Sequence, residues 1–252
     1  MIEIFILSLI QGVTEFLPIS SSSHLIIVAE NVNFTNQSLS IDVSLHIGSF
    51  LAVLIFFKKE VLSFFKNTDL FFKILISSIP TILIGFVLVQ TGLIDILRNI
   101  EVIGWTTIIF GVLLYLSDKF KLDKNIDNNF NYKSALIIGL FQILSLIPGV
   151  SRSGITITAA RLLDFKRYDS AKISFLLSIP TLAAVSIYGI VDIFLSQNLI
   201  FSYLNFFSIF FSFIISFLTI KYFLEYIRRF NLNLFVLYRI ILGVIILGSI
   251  YL

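Results

Sequence analysis

Gln11-Gly12-Val13-Thr14-Glu15-Phe16-Leu17-Pro18-Ile19-Ser20-Ser21-Ser22-Ser23-His24 interrupts an apolar stretch, residues 2–32, halfway along its length. Pro148-Gly149-Val150-Ser151-Arg152-Ser153-Gly154 interrupts residues 132–163 in the same way. At each break a proline, which lacks an N–H and clashes with the preceding turn, stops one helix. The hydroxyl residues that follow can cap the next. Apolar segments broken like this suit re-entrant helical hairpins whose tips lie inside a membrane protein, because lipid cannot satisfy an irregular backbone.

The rest of the chain agrees with a membrane setting. Of 252 residues, 58% are hydrophobic and 13% charged, and the mean hydropathy is +1.01. Soluble chains carry about 25% charged residues, so a single water-soluble core is excluded. Residues 41–57, 74–90, 102–116, 173–194, 201–223 and 234–252 are apolar runs that approach or reach the length of a helical crossing. They lack the alternation of a lipid-facing barrel. The expected fold is an all-α polytopic membrane protein with six transmembrane helices plus two re-entrant helical hairpins, in one integral membrane domain, 1–252. Residues 2–10 carry Glu3 and run on into Gln11, Thr14 and Glu15, so they do not read as a cleaved signal peptide. Zero cysteines exclude disulfides, thiolate metal sites and cysteine nucleophiles, and two histidines leave little for an all-histidine metal site.

A formal charge of +3 could suggest nucleic acid, but the basic residues lie in short segments between apolar runs and read as orientation signals. With six crossings and two hairpins that return to their side of entry, connections 58–73, 118–133, 161–172 and 221–229 share one face. They hold fifteen of the eighteen Lys and Arg, Lys121 among them, while Arg98 stands on the other face and Arg152 and Arg239 are further exceptions. The positive-inside bias makes that basic face cytoplasmic and both termini external. Hairpin one then enters from outside and hairpin two from inside, so their tips meet near the membrane middle. This is an inverted repeat of 1–117 and 118–252, drawn from topology. The echoes Ile79-Pro80-Thr81 and Ile179-Pro180-Thr181 are too short to carry it and have a different spacing.

Polar residues gather at the breaks. Gln11 and Glu15 are four apart and share a helix face, and Ser21 and His24 are three apart at the start of the next half-helix. The second hairpin adds Gln142, Ser151, Arg152 and Ser153. An arginine at bilayer depth costs about 2.5 kcal/mol or more unless paired or hydrated. A phosphate ligand would explain it, through paired hydrogen bonds from Arg152 and backbone N–H groups at the restarted helices. Glu15 could ligate a metal or act as a base on Ser21 or water, and His24 could protonate a leaving oxygen or activate Ser21. The structural alternatives are serines Ser20, Ser22, Ser23 and Ser153 acting as caps, a plain Glu15–Arg152 ion pair, and a packing role for His24. Asp42 and His46, four apart, could face the cavity or join two helices.

The two broken motifs, together with Asp42…His46-Ile47-Gly48 and the six-span layout, resemble the undecaprenyl-diphosphatase family, also called bacitracin resistance protein, over essentially the full chain. The resemblance implies removal of the terminal phosphate of undecaprenyl diphosphate, which regenerates the lipid carrier for cell-wall synthesis. It implies a site opening to the periplasmic side of the inner membrane. It matches Glu15, Ser21, His24 and Arg152 to catalysis and Ser151 and Arg152 to phosphate binding, to which the hydroxyls at the breaks add Ser20, Ser22 and Ser153 as phosphate-binding candidates. Gln11, Asp42, His46 and Gln142 are expected to support them, and a divalent cation, Mg²⁺ or Ca²⁺, is expected at Glu15. Gln11 is the non-acidic variant of its motif position, which leaves fewer carboxylates for a metal, and Ser23 stands where the family usually has glycine. The partners are the prenyl diphosphate and the bilayer, with no nucleic acid; a homodimer is compatible with the chain, and the residues do not fix the oligomeric state. Hydrolysis by covalent Ser21 attack and by direct water attack both remain open. The competing class is a transporter of prenyl phosphate without hydrolysis, since hairpins meeting at midplane also suit alternating access.

Overall fold

The computed structural model of the chain describes residues 1–31, 34, 38–64, 68–119, 122–195 and 203–251; of the positions used above, Val32, Lys121, Phe201 and Leu252 lie outside the described residues. The helices are α1 Ile2–Thr14, α2 Ser21–Asn31, α3 Leu39–Phe56, α4 Lys58–Ser63, α5 Thr68–Gln90, α6 Leu93–Leu97 and α7 Ile100–Asp118. They continue with α8 Ile126–Asn129, α9 Tyr132–Ile143, α10 Arg152–Leu162, α11 Arg167–Leu195, α12 Tyr203–Arg229 and α13 Asn233–Tyr251. Among the described residues, strand pairing is limited to one bridge, Lys124 with Phe165.

Among the described residues six helices, α3, α5, α7, α11, α12 and α13, are long and apolar enough to cross a membrane. These are the six spans the sequence predicts. Several begin earlier than hydropathy places them: α5 starts at Thr68 instead of 74, and α11 at Arg167 instead of 173. Hydropathy finds the lipid-facing middle, whereas the helices extend by another turn or two through polar residues such as Asp69 and Asp169. Asp42 accordingly lies in the first turn of α3. Side chains cap several starts: Asn99 accepts from the N–H of Glu101, and Asn131 from that of Ser134.

Leu83, Phe86 and Val87 of α5, Ile187 and Phe194 of α11, and Val244 and Ile245 of α13 are all exposed. Apolar surface on this scale is matched only by a lipid solvent. The core gathers where α3, α11 and α12 meet around the fully buried Phe175. Its ring lies edge-on to Phe16 at 5.3 Å and tilted against Phe223 at 5.8 Å. Small hydroxyl residues let α3 and α12 approach closely, with Ser49 bonded to Ser212 and Ser216 at 3.2 and 3.0 Å.

The short apolar helices are exchanged between the two halves of the chain. α1 packs on α12, and α9 packs on α5. Each contact passes over a glycine: a Cβ on Gly12 would lie 2.8 Å from the Ile215 side chain, and one on Gly139 would lie 2.4 Å from the Ser77 carbonyl.

The helix ends sort into two groups. At one end, the Asp118 carboxylate binds Arg167 Nε at 2.6 Å and Arg161 Nε at 3.3 Å and accepts from the N–H of Leu232, and Lys172 pairs with Glu60 at 2.9 Å. Arg228 lies over the Tyr168 ring at 4.3 Å, so all four basic connections are joined there. At the other end Asn205, near the start of α12, bonds Ser40 and Ser44 near the start of α3, and Tyr251 at the end of α13 reaches Glu101 at the start of α7.

Candidate active site

α1 ends at Thr14, but Glu15 keeps helical angles and donates its N–H to the Gln11 carbonyl at 3.0 Å, so its side chain stays on the Gln11 face. The chain then turns through Pro18 and Ile19 to Ser20, whose φ of 75° is left-handed, before α2 starts at Ser21. The second break repeats the device. After a short 3₁₀ turn, Leu144–Leu146, Gly149 has φ 92° and Ser151 φ 71°, and α10 starts at Arg152. A serine in the left-handed region costs roughly 1–2 kcal/mol, and at both breaks it directly precedes the restarted helix. The Ser151 hydroxyl then caps α10 by accepting from the Gly154 N–H at 3.1 Å. Ser23 is helical, so its position demands no left-handed backbone.

Glu15 is the centre of the site. Its Oε1 accepts from Arg152 Nη2 at 2.7 Å, across the two breaks. Its Oε2 accepts from the Ser21 hydroxyl at 2.7 Å and from Gln11 Nε2 at 3.1 Å. The carboxylate is buried, 8% exposed, and the Arg152 side chain is 13% exposed. Arg152 also donates through Nη1 to the Ser174 carbonyl at 3.1 Å, and its guanidinium lies 5.9 Å from the Phe16 ring centre. The Ser153 hydroxyl ties the second break to the first, donating to the Leu17 carbonyl at 2.7 Å.

The remaining sequence-derived residues divide. Ser20 shares hydrogen bonds with Ser22 at 3.3 Å and Ser23 at 2.9 Å. Ser151 and Ser153 share one at 3.2 Å. His46 meets the site through Gln11, whose Nε2 lies 3.1 Å from its Nδ1. Because that amide nitrogen already donates to Glu15, Nδ1 is the acceptor and His46 holds Gln11 in place. Asp42, one turn earlier, keeps a buried Oδ1 with no hydrogen-bond partner among the described residues. Gln142 turns away from Glu15 and donates to Thr81 of α5 at 3.3 Å. His24 is directed away from Ser21: its Nδ1 lies 2.6 Å from the Ser20 carbonyl and its Nε2 2.6 Å from the Tyr238 hydroxyl. The carbonyl can only accept, so Nδ1 carries a proton.

The chain that builds this constellation, a carboxylate holding a hydroxyl on one side and a guanidinium on the other, is similar in sequence to known proteins. A family model described as bacitracin resistance protein BacA covers residues 4–245. The chain belongs to the bacitracin resistance protein family. It is 53% identical over 251 residues to the undecaprenyl-diphosphatase of Pelagibacter ubique, spanning 99% of this chain and 98% of that protein. It is 40% identical over 262 residues to the enzyme of that name in Alteromonas mediterranea, at 99% and 98% coverage. Against that of Jannaschia sp. the identity is 36% over 261 residues, at 98% of each chain.

Among the described residues no group of three or more His, Cys, Asp or Glu side chains gathers that could hold a metal ion. The oxygen donors at the site are Glu15, Ser21 and the buried Oε1 of Gln11, which has no hydrogen-bond partner among the described residues. One carboxylate does not make a protein cage for a divalent ion, but it fits a cation that takes its other ligands from phosphate and water.

Sequence reading overlooked two neighbours on α13. Tyr238 meets His24, and Arg239, 0% exposed, reaches carbonyls of both breaks. The available signal was a charge inside an apolar span, which is costly enough to mark function or structure by itself. It had served only as an exception to the charge count.

Proposed function

We propose that this chain hydrolyses undecaprenyl diphosphate to undecaprenyl phosphate and inorganic phosphate, recycling the lipid carrier used in cell-wall synthesis. One observation carries the reading: in a chain 53% identical to an undecaprenyl-diphosphatase, the Ser21 hydroxyl is already hydrogen-bonded to Glu15, beside Arg152. Two hairpins entering from opposite faces, in inverted repeats 1–117 and 118–252, would bring that pocket to mid-membrane depth. The reciprocal packing of α1 on α12 and α9 on α5 supports the repeat. With the joined basic connections facing the cytoplasm, the termini and the mouth of the site face outward. The prenyl tail stays in lipid and the diphosphate enters between the breaks.

Glu15 acts as the base. Ser21 Oγ attacks the distal phosphorus, its proton passes to Glu15 Oε2, and the bond from that phosphorus to the bridging oxygen breaks, releasing the prenyl monophosphate. Glu15 then loses that proton to solvent and takes one from water, which attacks the phosphorus; the bond to Ser21 Oγ breaks, Oγ takes the proton back from Glu15, and inorganic phosphate leaves. Arg152 and Ser151 hold the phosphoryl oxygens. Ser20, Ser22 and Ser153 fix the backbone around them, and His24 hydrogen-bonds the bridging or leaving oxygen after turning from Tyr238. A Mg²⁺ or Ca²⁺ held by Glu15 and the substrate would supply charge neutralisation at the diphosphate. Every residue in this scheme comes from one chain, so catalysis does not depend on a homodimer.

The test is phosphate release from a long-chain prenyl diphosphate by the purified protein in detergent. The wild type is expected to release phosphate and folded Arg152→Ala to lose at least about 10²-fold. Absence of release by folded wild type across divalent-ion conditions would sink the reading.

A further inference from the structure

Arg239 is fully buried, and its hydrogen bonds all go to backbone carbonyls. Nη1 donates to the Pro18 carbonyl at 3.2 Å and the Val150 carbonyl at 3.0 Å, Nη2 to the Gly149 carbonyl at 2.8 Å, and Nε to the Thr107 carbonyl of α7 at 3.1 Å. Pro18 belongs to the first break, and Gly149 and Val150 belong to the second. A single guanidinium therefore fastens both irregular segments, three residues from Ser21 on one side and two from Arg152 on the other. Gly154 makes room for it, since a Cβ there would come within 2.9 Å of Nη1.

The charge is as informative as the geometry. Among the described residues no carboxylate pairs with Arg239, whereas Arg152 is paired with Glu15. Carbonyl dipoles can solvate a guanidinium, but holding a full charge in a dry interior is expensive compared with an apolar side chain of similar volume. With Glu15 and Arg152 cancelling, Arg239 leaves a net positive charge at the two breaks between which the diphosphate is proposed to sit.

We infer that Arg239 is a positioning residue for the phosphatase reaction: it holds the two breaks in register so that Ser21 and Arg152 address one phosphoryl group, and its uncompensated charge favours the diphosphate anion. This rests on the function proposed above. The two contributions separate by substitution. Arg239→Lys keeps the charge but loses the planar fork that reaches several carbonyls at once. Arg239→Met keeps the volume and loses both.

The experiment compares wild type, Arg239→Lys and Arg239→Met as full-length proteins in detergent, with kcat and KM for a long-chain prenyl diphosphate normalised to folded protein. The same lipid's dissociation constant is taken from thermal stabilisation, which needs no turnover. In Arg239→Lys, kcat is expected to fall about 10²-fold with Kd near wild type, because a displacement of about 1 Å at the reacting groups suffices for such a loss. In Arg239→Met both kcat falls and Kd rises. Folded Arg239→Lys with wild-type kcat overturns the positioning role, and so does an activity loss that only tracks the unfolded fraction. Wild-type Kd in Arg239→Met overturns the charge role. Should Arg239→Met not fold, Arg239→Lys and Arg239→Gln, which keeps donors without the charge, give the same two comparisons. A wild type that binds the lipid but releases no phosphate defeats the hydrolase reading, and the Kd comparison still decides the charge role.

Discussion

Ser21 is the residue on which the proposed chemistry turns, because its hydroxyl donates to Glu15 Oε2 at 2.7 Å. If Ser21 is the nucleophile, Ser21→Ala should lower kcat on the order of 10⁴-fold or more, as for other nucleophile deletions. If it only positions a water, the loss is one hydrogen bond, about 1 kcal/mol or five- to tenfold. Phosphate release by folded Ser21→Ala separates the two, and the geometry favours the larger loss. Glu15, Ser21 and Arg152 were legible in the sequence because a carboxylate and an arginine in apolar stretches need partners, and the two breaks offered each the other. The direction of His24 was not legible. Spacing of three put it on the Ser21 face, but the Ser20 carbonyl one turn back captured Nδ1 and a residue 214 positions away captured Nε2. Helix periodicity chooses a face, and it cannot choose between a local carbonyl and a distant hydroxyl on that face.

At the scale of elements, the second break depends on a glycine for two separate reasons. Gly149 has φ 92°, and a Cβ there would fall 1.9 Å from Thr106 Oγ1 and 2.8 Å from the Ile103 carbonyl. Thr106 cannot easily withdraw, since its hydroxyl donates to the Pro148 carbonyl at 2.6 Å. Gly149→Ala is therefore expected to destabilise the protein by more than about 3 kcal/mol, visible as a large fall in Tm in detergent, with α10 and Arg152 displaced from Glu15. An unchanged Tm would mean that the break relaxes freely and that its left-handed backbone is not enforced. The breaks themselves were visible in sequence, since proline, glycine and hydroxyl residues seldom cluster inside an apolar run without ending a helix. Which helix packs on which was not: the passage of α1 over α12 and α9 over α5 rests on steric fit at Gly12 and Gly139, contacts more than 50 residues apart in the chain that no local pattern encodes.

For the whole molecule, the open quantity is which end faces outward. The Asp118–Arg161–Arg167 cluster and the Lys172–Glu60 pair join three of the basic connections at one end, and Arg228 over the Tyr168 ring adds the fourth. The orientation follows only if the positive-inside bias acts on that end. The chain has no cysteine, so single thiols report cleanly. Thr91 and Asp123 are both exposed, the first after α5 at the end opposite the basic cluster and the second between α7 and α8 beside it. Thr91→Cys should react with a membrane-impermeant maleimide on intact cells, and Asp123→Cys only after permeabilisation. Neither substitution removes a basic residue, so the orienting charge is preserved. The reverse pattern would turn the pocket mouth toward the cytoplasm and require the diphosphate to arrive from that side. Labelling of both thiols from outside would break the count of three crossings between Met1 and Asp123, and with it the argument that the hairpins enter from opposite faces. The predicted pattern instead leaves one geometry in which a substrate whose tail stays in lipid presents its diphosphate to Glu15, Ser21 and Arg152 from the external leaflet.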